Sequence, residues 1–295
     1  MAGFLLSYGD IIDRMIAYAI FFYALMFMLG LAMGSFVGAM TWRMKTNRDW
    51  VRGRSECEHC HHKLVAIDLI PVFSYLALGG KCRYCHKKIG RSTLVLELAG
   101  GLIFLGSTLL FPSMVYQRWL NPLASFQSLT PMLPLAMGLW LVCLVIMMAL
   151  FVYDLRWRLL PNKLVFPLIV VSLLLSAVMN LGLAQVGLTE WLIALALGML
   201  PITGVYGMLY LLSRGRWIGL GDVKLGIAIG LLITWWGGVL VLFLSNLLAS
   251  LVSIPGLLKR RINGASEIPF GPFLLVATYL VFLLGWTLKN IMLVL

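Results

Sequence analysis

Long apolar runs that charge almost never interrupts dominate this chain, and they limit its folds more than any other feature. From Leu225 to Leu258 there are 34 successive residues without a charged side chain. About 20 such residues cross the ~30 Å hydrocarbon core of a bilayer as a helix. With 61% hydrophobic and 12% charged residues and a mean hydropathy of +0.97, the chain has a bilayer for its solvent. The first run, 15–42, is too long for the apolar part of a signal peptide and no small-residue cleavage site follows it, so it reads as a retained transmembrane helix.

Further spans are expected near 93–111, 132–153, 164–182, 191–213 and 273–288. The 225–258 stretch is split at Trp235-Trp236-Gly237-Gly238, where aromatics suit an interface and glycines a turn. The expected fold is thus an all-α polytopic membrane protein of about eight transmembrane helices. A net charge of +12 could point to nucleic acid, but its placement points to membrane orientation instead. Twenty of the 23 Lys and Arg residues fall within 43–91, 156–163, 214–224 and 259–261. With eight spans all four basic loops share one side, which the positive-inside rule makes cytoplasmic, and both termini lie on the other. A single tilted helix over 225–258 would move Lys259-Arg260-Arg261 outside, against that rule.

Three regions are expected: a first transmembrane helix (1–42), a small cytosolic zinc-binding insertion between helices one and two (43–92), and a membrane-embedded domain (93–295). The insertion holds all four histidines and four of the five cysteines. Cys57-Glu58-His59-Cys60 and Cys82-Arg83-Tyr84-Cys85 are C-x2-C pairs separated by 21 residues, the pattern of two knuckles converging on a structural zinc ion. A pair of disulfides is the alternative, and a reducing cytosol opposes it. His59, His61, His62 and His86 could replace a ligand or could simply be solvated. Metal would order a segment too small to build its own core. Cys143, alone in an apolar run, reads as packing.

Acidic residues number eleven, and Glu97, Asp154, Asp222 and Glu267 are the ones near cytoplasmic helix boundaries. Asp154 lies in Phe151-Val152-Tyr153-Asp154 ahead of Leu160-Pro161-Asn162, and Asp222 in Gly219-Leu220-Gly221-Asp222-Val223-Lys224. Bland accounts exist: an i,i+4 ion pair of Asp154 with Arg158, and a helix N-cap at Asp222. Against these, acids at membrane depth are expensive and usually functional. The topology puts both on one face, and Gly219 and Gly221 permit close approach of a neighbouring backbone. Two carboxylates sharing a partly dry site would hold one proton between them. The ionised member then activates water and the protonated member polarises a peptide carbonyl, which is aspartyl protease chemistry.

An ordered set of motifs resembles the type IV prepilin leader peptidases, intramembrane aspartyl proteases of the Gly-x-Gly-Asp class. It comprises Gly34-Ser35-Phe36 with Arg43, the two C-x2-C pairs, Asp68-Leu69-Ile70-Pro71 with Phe73-Ser74-Tyr75, Arg91, Glu97, Asp154 with Leu160-Pro161-Asn162, Gly219 to Lys224, and Pro269-Phe270-Gly271-Pro272. The resemblance implies catalytic roles for Asp154 and Asp222, and cleavage of basic leaders from type IV prepilins or type II secretion pseudopilins. It places the protein in the inner membrane, with active site and zinc loop facing the cytoplasm. It further implies N-methylation of the new amine with S-adenosylmethionine, although Gly38 stands where the family pattern carries Asn. Gly34 and Gly38 also read as a Gly-x-x-x-Gly helix-packing surface. Glu97 is either a family site or an acid snorkelling to the interface, and Pro269 to Pro272 a rigid entry to the last helix. The expected partners are these substrates and membrane lipid, with no nucleic acid. An ion-coupled transporter would instead need polar groups across the whole bilayer, whereas here they gather at one face. A zinc-loop assembly factor, its aspartates merely capping helices, would not cleave a prepilin.

Overall fold

In a computed structural model, residues 8–49, 53, 55–119, 132–183, 185–258 and 269–294 are described. The Lys259-Arg260-Arg261 cluster and Glu267, used above for topology, lie outside them. The described residues form helices joined by turns and loops, with no strand among them; pairing of extended chain is limited to the isolated bridges Glu56↔Lys63 and Lys81↔Lys88. Among the described residues six helices are long and apolar enough to cross a membrane, making this a multi-pass membrane protein. The chain divides into two compact units between Leu110 and Phe111.

The first unit carries α1 (Tyr8–Lys45), a 3-10 turn (Ala66–Leu69), the short α2 (Phe73–Ala77) and the start of α3 (Arg91–Trp119). At 1.5 Å per residue, the 38 residues of α1 reach about 57 Å, well beyond a bilayer core. The backbones of α1 and α3 meet where side chains are missing. A Cβ on Gly30 would lie 2.4 Å from the Gly100 carbonyl oxygen, and one on Gly34 2.5 Å from that of Leu96. The small-residue seam expected at Gly34 and Gly38 is therefore centred one turn earlier, on Gly30 and Gly34. At Gly38 the nearest atom is a Leu96 methyl at 3.4 Å.

The second unit contains α4 (Met132–Trp157), α5 (Asn162–Ala177), α6 (Leu188–Met199), α7 (Val205–Ser213), α8 (Leu220–Leu232), α9 (Trp235–Leu258) and α10 (Gly271–Val294). A π turn, Val178–Leu183, extends α5, and a second, Leu200–Gly204, joins α6 to α7 into one 26-residue apolar span. Pro201 sits inside that second turn; without an N–H it cannot continue the helical ladder, and the widened turn absorbs the loss. The core forms where α8 packs against α5, α6 and the second π turn, and where Trp140 of α4 stacks on Phe282 of α10 with ring centroids 3.8 Å apart.

The uncharged stretch is two helices, as expected, but it breaks at Ile233-Thr234. Gly237 and Gly238 belong to the first turn of α9, where the Thr234 hydroxyl accepts the Gly237 N–H at 3.5 Å. Gly238 is small because Pro201 fills the space its Cβ would need, at 3.0 Å. The 13 residues of α8 cover only about 20 Å, so α8 alone falls short of the ~30 Å core and is not among the six spanning helices. The described part of α10 suited to the membrane, Gly271–Leu284, is also shorter than a full span.

Candidate active site and metal centre

Asp154 occupies the last turn of α4 and is 5% exposed. After Trp157 the chain leaves the helix with Arg158 at φ 53°, and Pro161 at φ −69° starts α5 one residue later. Among the described residues no ion pair joins Asp154 to Arg158, so the bland account of that acid fails. The backbone N–H of Gly271, first residue of α10, faces the Asp154 carboxylate instead. The approach is so close that a Cβ on Gly271 would lie 2.6 Å from Oδ2 of Asp154.

Asp222 is the third residue of α8, and the N-cap is Gly219, which removes the capping role considered for this acid. Its carboxylate turns back toward the Gly219 N–H, so the start of a second helix presents an amide to the second acid. Asp154 and Asp222 lie within electrostatic range of each other. Leu160 is wedged between their supports: its side chain meets the Cβ direction of Gly221 at 3.1 Å and that of Gly271 at 3.4 Å. The close neighbour of the Gly-Leu-Gly-Asp turn is thus a leucine side chain rather than the backbone expected. Lys224 donates to Asn162 Oδ1 at 3.1 Å, tying the first turn of α8 to that of α5 across 62 residues of sequence.

Two carboxylates held at one end of a helical unit, each addressed by an amide from a helix start, can share the work of general base and general acid on a peptide bond. Gly271 escaped sequence reasoning, which assigned Pro269 to Pro272 only a rigid entry. A glycine followed by Pro272 at a helix start is a signal that could have found it, because such a start offers a free amide.

The cysteine segment is built from two copies of one turn. Cys57 N–H donates to the His62 carbonyl at 3.0 Å and His61 N–H to the Cys57 carbonyl at 3.0 Å. In the second copy Cys82 donates to Lys87 at 2.9 Å and His86 to Cys82 at 3.0 Å. His61 and His86 take equivalent left-handed positions, φ 54° and 55°, a conformation histidine adopts more often than most residues. The two turns are a 25-residue structural repeat that the sequence reading did not single out. They bring the sulfurs of Cys57, Cys60, Cys82 and Cys85 within 4.8 Å of one another, with 3.9 Å between Cys57 and Cys85. A tetrahedral ion with metal–sulfur bonds of about 2.3 Å needs a sulfur spacing of about 3.8 Å, so the quartet fits such an ion.

All four are free thiols, and no histidine nitrogen joins the group. His62 stacks on Tyr84 at 3.6 Å between centroids, and His61 Nδ1 lies 3.7 Å from Glu56. Burial pushes the Cys57 thiol up, but N–H groups of Cys60 and His59 and neighbouring thiols outweigh it and bring it down to about 7. Cys60 goes the other way, to about 11, since desolvation and adjoining sulfurs oppose a second thiolate despite the His62 amide. Four thiolates in this volume therefore need a cation.

Two motif acids hold this unit together. Asp68 accepts from Arg83 Nε at 2.7 Å and from the Tyr84 hydroxyl at 3.3 Å, pinning the second knuckle to the 3-10 turn. Glu97, 5% exposed on α3, accepts the Val72 N–H at 2.7 Å. Val72 has φ 63°, costly for a β-branched residue, so Glu97 stabilises a strained turn rather than snorkelling. Arg43, 8% exposed, donates to Ser55 Oγ at 3.3 Å, and Cys143 is fully buried.

Fold and site together define a multi-pass membrane protein with a paired-carboxylate centre and a four-thiol loop. Residues 28–111 match the bacterial peptidase A24 N-terminal domain and 141–254 the type IV leader peptidase family. The chain is 31% identical over 284 residues to a prepilin leader peptidase/N-methyltransferase of Stutzerimonas stutzeri, covering 87% of this chain and 89% of that protein. A protein of the same name from Aeromonas hydrophila is 29% identical over 301 residues, 91% and 94% of the two chains. One from Pseudomonas aeruginosa is 29% identical over 302 residues, 93% and 94%. No solved structure matches. The chain belongs to the prepilin leader peptidase/N-methyltransferase family. Asp154 and Asp222 both lie in the second matched segment and the four cysteines in the first, whereas Gly271 lies beyond both.

Proposed function

We propose that this protein is an aspartyl endopeptidase of the inner membrane that removes leader peptides from prepilins or pseudopilins at the cytoplasmic face. The observation that carries the reading is the meeting of Asp154 and Asp222 at one end of the helical unit, with Gly219 and Gly271 amides against them. One carboxylate, ionised, takes a proton from water as it attacks the scissile carbonyl. The other, protonated, donates to that carbonyl oxygen and the proton then passes to the leaving amine. The buried flank of Asp154 limits competing water.

Cys57, Cys60, Cys82 and Cys85 hold a structural zinc ion, a closed four-sulfur site with no position for substrate. The same protein N-methylates the new amine with S-adenosylmethionine. That reading rests on the names of its relatives, and the residues that bind the cofactor are unassigned.

Purified protein in detergent, mixed with a prepilin, should shorten it by the leader on a gel. Asp154→Asn and Asp222→Asn should each lower kcat by at least about 10³-fold while melting within a few degrees of wild type. Full cleavage by both variants would end the aspartyl protease reading. Transfer of label from S-adenosylmethionine to the cleaved substrate tests methylation separately.

A further inference from the structure

On α9 the residues Leu242, Phe243, Asn246, Leu247 and Ser250 follow the i, i+3, i+4 spacing of one helical face, and with Val205 of α7 they line a cavity of about 520 Å³. A lipid-facing apolar surface needs no protein partner, so exposure by itself assigns nothing here. Three observations single this groove out.

The first is its level. Gly207 of α7 faces Val223 of α8, and Gly226 of α8 faces Ile202 and Thr203, so α7 runs antiparallel along the start of α8. Val205 and Tyr206 therefore stand about one turn from Asp222. Val205, which lines the groove, stands at this level, and the groove continues along α9 as far as Val239. From Val239 to Ser250, eleven helical steps, it spans about 16 Å.

The second is polarity. Asn246 and Ser250 are exposed on an otherwise apolar, membrane-embedded face, where uncompensated polar groups are costly. The Asn246 amide nitrogen donates to the Leu242 carbonyl at 2.7 Å, which leaves its Oδ1 as an acceptor.

The third is an orphan hydroxyl. Tyr206 is 4% exposed and makes no well-formed hydrogen bond, although Ser245, Asn246 and the Asp222 charge all lie near it. Its ring packs edge-on against Phe270 at 5.7 Å, next to the Gly271 that holds Asp154. Asn246 of the groove thus neighbours the Tyr206 hydroxyl, which in turn lies within range of the Asp222 charge.

We propose that the α7–α9 groove is the docking site for the apolar helix of the substrate, and that Asn246 and Tyr206 hydrogen-bond its backbone where it unwinds toward the carboxylates. The inference rests on the peptidase reading and deepens it. A bond cut at the ends of membrane helices belongs to a chain with water on one side and bilayer on the other. Its bilayer side needs a seat beside the pair. A helix opened for cleavage there exposes amide groups that hydrocarbon cannot satisfy, and polar side chains in a groove can.

The test uses full-length protein in detergent and a full-length prepilin. Leu247→Trp fills the groove and is compared with Val252→Trp, which places the same ring on the same helix outside it. The expected result is a KM raised about tenfold in the first and a wild-type KM in the second; equal KM values would overturn the proposal. If Leu247→Trp does not fold, a photo-crosslinking residue at Phe243 in the Asp222→Asn background decides. Capture of the prepilin's apolar segment from Phe243 and not from Val252 supports the groove, and equal or absent capture from both marks it as a lipid surface. Failure of the peptidase reading looks different: wild-type protein would then leave the prepilin uncut.

Discussion

At Gly271 a single hydrogen atom decides where the Asp154 carboxylate sits. An added Cβ would lie 2.6 Å from Oδ2 of Asp154, and the atom in the way is the far end of a side chain, so the carboxylate gives way rather than the backbone. Gly271→Ala should therefore fold and bind, with kcat reduced about 10²-fold because a reacting group is misplaced by a fraction of an ångström or more. Steady-state kinetics together with a melting curve check this; a Tm loss that accounts for the whole activity loss would make Gly271 merely structural. The two acids were legible in the sequence because charge is so rare in its apolar runs. Gly271 and Leu160 were not, since their importance lies in what their atoms meet across the fold, and neither carries a charge or a ligand atom. The bland roles for the acids failed for a backbone reason. Arg158 leaves the helix at positive φ, and α8 starts two residues before Asp222 with Gly219 as its N-cap.

Helices were readable because bilayer thickness sets their length, whereas their ends depend on contacts that no run of residues reveals. Trp235 to Gly238 read as a turn from their types, yet they open α9, because Thr234 caps it and Pro201 needs the space at Gly238. The π turn at Leu200–Gly204 follows from one proline whose effect could have been kink, break or bulge. The α1–α3 seam was seen in outline but set one turn late. Its geometry yields a paired outcome: Gly34→Ala meets the Leu96 carbonyl at 2.5 Å, while Gly38→Ala meets only a movable methyl at 3.4 Å. The first should cost about 1–3 kcal/mol and the second little, measured as Tm in detergent. The two cysteine turns were the most legible element, since C-x2-C spacing dictates the turn. Chelation should release one zinc per chain by elemental analysis and open 55–89 to limited proteolysis, with helices elsewhere intact by circular dichroism. Because binding drives protons from thiols such as Cys60, at about 11, zinc affinity should rise with pH. Retention of protease resistance after complete zinc loss would separate metal from fold.

For the whole molecule, charge placement and helix order together predict an orientation that neither supplies alone. The Asp154 end of α4 and the Asp222 end of α8 adjoin the basic segments 156–163 and 214–224, and the cysteine loop carries the largest share of positive charge. Anionic lipid and the positive-inside rule should hold all of these in the cytoplasm. The 183–190 segment, which runs from the end of the π turn after α5 into α6 and lacks Lys and Arg, should face the other way. A membrane-impermeant maleimide distinguishes the sides. Trp217→Cys, at a position 72% exposed near Asp222, should be modified in inverted vesicles and protected in spheroplasts. Gln185→Cys should show the reverse pattern. The count of about eight spans is tested in the same experiment, because α8 at 13 residues is too short to settle it by length. If α8 returned to the side it left, a cysteine introduced at Thr234 would label with Trp217→Cys. If α8 crosses, it labels with Gln185→Cys, and the carboxylate pair then lies at the cytoplasmic mouth of a helix bundle. A leader held in water can reach it there while the rest of its substrate stays in lipid.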